Sequence, residues 1–200
     1  IPAHAAMIVL PGSKATIADM AFLRAQGWDI DILAHHRRGG AVLGICGGYQ
    51  MLGRRIADPL GIEGDPSDIA GLGLLDVETA LTPDKALRRV RGVALGAAFE
   101  GYEMHMGETT GPGAAHGFAC LDGARADGAI SADGHVFGTY CHGLFAAPGL
   151  RAAVLARIGA RSNGADHDHA VDAALDELGG ELERHLDVDG LLALARAGLA

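Results

Sequence analysis

The stretch Ala41-Val42-Leu43-Gly44-Ile45-Cys46-Gly47-Gly48-Tyr49-Gln50-Met51-Leu52-Gly53 constrains this chain more than any other. A short apolar run breaks at Gly-Ile-Cys-Gly-Gly and resumes in a helix-compatible segment, as happens where a strand hands over to a helix through a very tight turn. The pattern is G-x-S-x-G with Cys in place of Ser, a nucleophile set on a sharp strand-to-helix turn. Glycines on either side of Cys46 let the backbone bend and let a substrate approach. The helix N-terminus that follows is expected to favour thiolate over thiol. A buried cysteine in a glycine-rich turn is the bland alternative, yet packing alone does not call for four glycines around one cysteine.

The flanking sequence supplies a sheet for that turn to sit on. Ala5 to Leu10 is a continuous apolar run stopped by Pro11-Gly12-Ser13, which reads as a strand buried on both faces of a parallel sheet. Thr16 with Asp19 gives a capping-box-like helix start, and Ile17, Met20, Phe22 and Leu23 form its apolar stripe. A second helix is expected from Trp28 to Arg38, with His35 and His36 as surface residues in its last turn. Tyr49 to Ile56 reads as a short helix and residues 61–71 as a loop. Strand-like stretches follow at Leu72–Leu81 and Arg88–Leu95, separated by the turn Thr82-Pro83-Asp84, with a third at Phe99–His105. Residues 106–128 carry little periodicity. Ala129–Ser131 and His135–Tyr140 form a hairpin that delivers Cys141-His142-Gly143 to a strand end. Pro148 opens a helix, Ser162–His169 is a polar linker, and helices follow with Val171, Leu175, Leu178, Leu182 and Leu186 and then Leu191–Leu199. The expected fold is α/β: an open, mainly parallel sheet flanked by helices, with added antiparallel β structure and C-terminal helices, in one domain over residues 1–200.

Charge and cysteine usage narrow the function. A formal charge of -9 argues against a nucleic-acid face, and the pairs Arg37-Arg38, Arg54-Arg55 and Arg88-Arg89 read as solvated surface. Cys46, Cys120 and Cys141 have no C-x-x-C spacing, so neither a disulfide framework nor a metal site is indicated, and a reducing cytoplasm is the natural compartment. No apolar stretch approaches the ~20 residues of a membrane span. The chain opens without Met and almost directly with a strand, which suggests a piece of something longer.

A thiol nucleophile needs a base, and His142 stands at the end of its strand much as Cys46 does at the end of its own. Strand ends of open α/β sheets converge on one crevice. His105 competes, since it too follows a strand. The N–H of Gly47 is the expected first oxyanion donor, and the Pro11-Gly12-Ser13 loop could lend a second.

Four ordered segments then carry a family resemblance: Leu10-Pro11-Gly12-Ser13-Lys14, Gly44 to Gly53, Tyr102-Glu103-Met104-His105-Met106-Gly107, and Gly138-Thr139-Tyr140-Cys141-His142-Gly143-Leu144-Phe145. Together they resemble the class I glutamine amidotransferase domain of the cobyric acid and cobyrinate diamide synthase group. Arg54 to Gly64 and the closing Leu182 to Asp187 look like the cobyric acid branch. The resemblance implies Cys46 as nucleophile, His142 as base, Gly12 and Gly47 at the oxyanion and Gln50 beside the substrate glutamine. It implies an N-terminal ATP-dependent amide synthase domain, absent from these residues, that would bind ATP, Mg and the corrinoid and receive the ammonia. Consistent with that division, the chain has no G-x-x-x-x-G-K-[ST] phosphate loop.

One departure stands out. Most class I amidotransferases carry Glu two residues after the catalytic His, and here that residue is Leu144. Glu103, with His105 beside it in the Tyr-Glu-Met-His motif, is the expected substitute support. The alternatives are the domain of cobyrinate diamide synthase or of a ligase acting on peptidoglycan lipid precursors, a non-catalytic domain that keeps the fold, or another cysteine hydrolase using the same turn.

Overall fold

The computed structural model describes residues 1–198; Leu199, expected at the end of the closing helix, lies outside the described residues. In chain order the elements are β1 (Met7–Leu10), α1 (Thr16–Ala25), α2 (Trp28–Arg37), β2 (Ala41–Ile45), α3 (Gly47–Leu52), β3 (Arg55–Asp58), β4 (Ser67–Ala70), β5 (Glu78–Ala94), β6 (Ala97–Thr110), β7 (Ala119–Leu121), β8 (Arg125–Asp127), β9 (Ala129–Ile130), β10 (Val136–Thr139), β11 (Cys141–His142), α4 (Pro148–Arg157), α5 (His167–His185) and α6 (Val188–Ala197). The described residues form two compact units, Ile1–Ser162 and a second that begins at Asn163.

In the first unit, β1, β2 and β10 pair in parallel and β9 closes the edge antiparallel to β10. Successive side chains of a strand point to opposite faces, so the apolar runs feed two cores. Val42 and Val136 join Met20, Leu23, Ile32 and Leu52 from the first three helices. Leu43 and Phe137 join Leu150 and Val154 of α4 together with Val90, Ala94 and Phe99 of the β5–β6 ribbon. The expected flanked parallel sheet is therefore present, and its second face is covered partly by β structure.

That β structure is a second sheet of order β11-β6-β5-β3-β4, with β7 and β8 added along β5. It is larger and more continuous than the sequence suggests. Thr82-Pro83-Asp84 does not turn the chain; β5 runs through it, and the pairing with β6 slips between Ala80 and Lys85. Pro83 lacks a ladder N–H, so an irregularity absorbs it where a turn is expected. Ile56 belongs to β3, not to a helix: α3 stops at Leu52, and β3 pairs with β4 and β5.

Three side chains also depart from the sequence reading. Thr16 does not cap α1; its hydroxyl is buried and donates to Gln50 Oε1 at 3.1 Å. His35 is buried, not a surface residue, with Nε2 at 3.0 Å from the Ala41 carbonyl. Arg88 is no free surface cation, because it pairs with buried Glu103. In the second unit α5 and α6 form as expected, with Asp166 and Asp187 accepting from His169 N and Gly190 N as N-caps, and α5 starts inside the expected linker.

Candidate active site

Cys46 sits between β2 and α3 with φ 52° and ψ −112°, a left-handed backbone that a side-chain-bearing residue rarely adopts. Its neighbours hold it there. Cys46 N donates to the Thr139 carbonyl at 2.8 Å, its own carbonyl accepts from Gln50 N at 3.1 Å, and Gly48 N donates to the Pro11 carbonyl at 3.1 Å. The glycines are explained by contact: a Cβ on Gly48 would lie 2.0 Å from the Leu10 carbonyl oxygen, and one on Gly44 would lie 2.6 Å from that of Gly48. The start of α3 is thus pressed onto β1 and β2, which seats the turn at the carboxyl ends of both strands.

His142 arrives on β11, where the chain passes from the first sheet to the second. A Cβ on Gly12 would lie 3.2 Å from His142 Cε1 and 3.6 Å from Cys46 Cβ, so the imidazole and the cysteine converge across one glycine of the loop after β1. The structure brings together Cys46, Gly47, Gly12 and His142 as the motifs require. The N–H of Gly47 reaches the Cys46 sulfur, and burial is the largest influence on that thiol. Burial pushes the thiol pKa up, Gly47 N–H offsets part of the rise and the Glu63 carboxylate adds to it. The thiol is therefore raised where the sequence suggests that the helix N-terminus would favour thiolate, because burial outweighs the Gly47 N–H. The thiol donates to the Met104 carbonyl at 3.4 Å.

Gln50 lies one turn into α3, but its amide is fully engaged. It accepts from Thr16 Oγ1 and donates to the Met106 carbonyl at 3.0 Å and Tyr140 Oη at 3.2 Å. In this arrangement it ties α1, α3 and β6 together.

Glu103 does not hydrogen-bond to His142. It pairs across the ladder with Cys141, whereas His142 pairs with Tyr102, so period-two alternation sends the Glu103 and His142 side chains to opposite faces. Its carboxylate is 1% exposed and receives Arg88 Nε, Arg125 Nη1 and Arg125 Nη2. Burial pushes Glu103 up, but Arg125 and Arg88 outweigh it and hold the carboxyl below the ordinary range. His105 stacks on Tyr140 with ring centroids 3.7 Å apart, and burial lowers its pKa. Leu144 is buried in the second core, and its aliphatic side chain has no hydrogen-bonding atom to offer His142.

β6 reaches the site through one side chain and two main-chain carbonyls. Tyr102 stacks on the His142 ring, Met104 accepts from the thiol through its carbonyl, and Met106 accepts from Gln50. Sequence reasoning also missed Glu63. Asp58 accepts from Ile62 N at 2.7 Å and Glu63 N at 2.8 Å, folding that loop so that Glu63 Oε2 accepts from Ile17 N at 3.0 Å in the first turn of α1. The signal available was the acidic residue at each end of Asp58-Pro59-Leu60-Gly61-Ile62-Glu63. Among the described residues no group of three or more His, Cys, Asp or Glu is disposed to hold a metal ion, and no helix is long and apolar enough to cross a membrane.

Comparison with known proteins follows the same lines. Residues 1–149 match the model of the CobB/CobQ-like glutamine amidotransferase domain. The chain is 66% identical over 198 residues to a cobyric acid synthase of Rhizorhabdus wittichii, covering 99% of this chain and 41% of that protein. It is 63% identical over 195 residues to the cobyric acid synthase of Sphingopyxis alaskensis, covering 98% and 40%. This chain thus spans about two fifths of the length of these relatives. Among solved structures, PurLQS from Thermotoga maritima shares the fold with a TM-score of 0.50 at 19% identity, covering 86% of this chain and 80% of that one. With a domain match over three quarters of its length, on a fold that carries Cys46 and His142 to one glycine, the chain belongs to the CobB/CobQ-like glutamine amidotransferase family.

Proposed function

We propose that this chain hydrolyses glutamine to glutamate and ammonia through a thioester on Cys46. The observation that carries this reading is the strained Cys46 backbone with Gly47 N–H at the sulfur and His142 closing across Gly12. His142 is the base that acts on the Cys46 thiol across Gly12. His142 takes the Cys46 proton as sulfur bonds to the side-chain amide carbon of glutamine. The oxyanion is held by Gly47 N–H and the Gly12 backbone. The imidazolium then gives its proton to the amide nitrogen, ammonia leaves and the thioester remains. Water adds next, with its proton passing to His142; the carbon–sulfur bond then breaks, glutamate leaves, and the Cys46 thiolate recovers that proton.

The ammonia would serve ATP-dependent amidation of peripheral carboxylates of adenosylcobyrinic acid a,c-diamide in cobalamin biosynthesis. The strong likeness to two cobyric acid synthases of more than twice this length supports that assignment. Acceptor activation, with ATP and Mg, belongs in this reading to the rest of the longer protein, in the cytoplasm.

The test is alkylation of the full-length protein with a diazoketone analogue of glutamine, followed by mass mapping. The expected adduct is on Cys46, absent in Cys46→Ala and slowed in His142→Ala. An unmodified Cys46 under saturating reagent refutes the proposal.

A further inference from the structure

The base has no carboxylate to orient it: Leu144 fills the usual place and Glu103 is turned to two arginines. Such a group ordinarily fixes the imidazole before it accepts a proton. Among the described residues His142 Nε2 is buried without a hydrogen-bond partner. The ring is nevertheless enclosed. Tyr102 lies against one face with centroids 5.1 Å apart and planes 10° from parallel, and a Cβ on Gly12 would lie only 3.2 Å from the Cε1 edge. The register explains the stack: His142 and Tyr102 are direct partners across β11 and β6, and directly opposed side chains of an antiparallel pair share a face at short range. The same strand two residues on offers the Met104 carbonyl to the Cys46 thiol. One edge of β6 thereby contacts both members of the reacting pair.

We infer that Tyr102 is the positioning residue for His142, its ring fixing the imidazole plane by stacking where related enzymes use a hydrogen-bonded carboxylate. The inference rests on the glutaminase reading above, since it assigns His142 a base to be positioned. An offset aromatic stack restrains ring tilt through its quadrupole geometry while leaving both ring nitrogens free for proton transfer. Gly12 leaves room for the ring at its edge: a Cβ there would lie 3.2 Å from Cε1, so a side chain would oblige the imidazole to shift by a few tenths of an ångström.

The experiment is steady-state glutamine hydrolysis by the full-length protein carrying Tyr102→Phe or Tyr102→Leu, with thermal unfolding as the fold control. Leu retains much of the bulk and loses the ring. Tyr102→Leu is expected to lower kcat by about tenfold while KM for glutamine stays unchanged, and Tyr102→Phe is expected to restore the wild-type kcat. Wild-type kcat in Tyr102→Leu overturns the inference. A loss in Tyr102→Phe equal to that in Tyr102→Leu also overturns it, because the hydroxyl and not the stack would then be responsible. A matched rise in KM would make Tyr102 a substrate contact and overturn it as well. The two readings separate in the wild type: if it neither hydrolyses glutamine nor takes the diazoketone on Cys46, the glutaminase reading fails and takes this one with it. If wild type does both and the variants are silent, only the role of Tyr102 falls.

Discussion

Gly48→Ala is a sharp test of how the nucleophile is seated. By helix propensity alone the substitution should stabilise α3 by about 1 kcal/mol. The structure reverses the sign. The new Cβ would lie 2.0 Å from the Leu10 carbonyl oxygen and 2.6 Å from its carbon, both of them backbone atoms at the buried end of β1. Ordinary contact begins near ~3.5 Å, so helix and strand must part by about 1.5 Å. Overpacking of this kind costs about 1–3 kcal/mol, and a backbone neighbour that cannot rotate away places it at the upper end. The net expectation is a loss of roughly 2 kcal/mol, read as a fall of about 1 M in urea midpoint by far-UV circular dichroism. The same separation moves Gly47 N–H and Cys46 together, and displacement by about 1 Å lowers turnover on the order of a hundredfold. Gly179→Ala is the control, because Gly179 lies within α5 with nothing within 4 Å of an added Cβ. It should raise stability by about 0.5–1 kcal/mol. A Gly48→Ala midpoint at or above wild type, with undiminished labelling of Cys46, would refute the seating argument.

Two electrostatic predictions follow from the same site. Glu63→Gln removes a carboxylate that raises the Cys46 thiol, so the pH dependence of iodoacetamide alkylation at Cys46 should move to lower pH; no movement would mean that Glu63 does not act on the sulfur. Glu103→Gln leaves Arg88 and Arg125 facing a neutral amide and should destabilise the fold by about 1–3 kcal/mol, moderated because both guanidiniums keep partial access to water. Since the folded-state pKa of Glu103 is depressed, its contribution is complete above the ordinary glutamate value of ~4.3 and is lost as pH falls through the lower folded value. Wild-type and Glu103→Gln stabilities should therefore converge in acid, and a difference that persists unchanged at the lowest pH would contradict the pairing.

The β6 motif shows where sequence legibility ends. Tyr102-Glu103-Met104-His105-Met106 is recognisable as a site segment, and chemistry directs attention to its ionisable members, Glu103 and His105. A strand has period two, and the next register choice turns every side chain over. Only the pairing of β6 with β11 shows that the Tyr102 ring meets His142 and that Glu103 turns to Arg88 and Arg125, while Met104 and Met106 reach Cys46 and Gln50 through their main-chain carbonyls. Gln50 was visible as a polar residue one turn past the nucleophile, but its bonds to Thr16, Met106 and Tyr140 join segments up to 90 residues apart.

What the sequence by itself determined is local: the glycines around a left-handed Cys46, the apolar runs that make β1 and β2 strands, the hairpin of β9 and β10, and the proline that opens α4; β2 is buried along most of its length as expected, whereas β1 lies at the sheet edge and leaves Val9 exposed. These follow from backbone sterics and short-range periodicity, which act within a few residues. The tertiary structure alone decided that β5 passes through Pro83, that His35 is buried and that the thiol of Cys46 is raised, not lowered. It also decided which face of β6 braces the base. Desolvation and strand register depend on residues distant in the chain, and no local pattern encodes either.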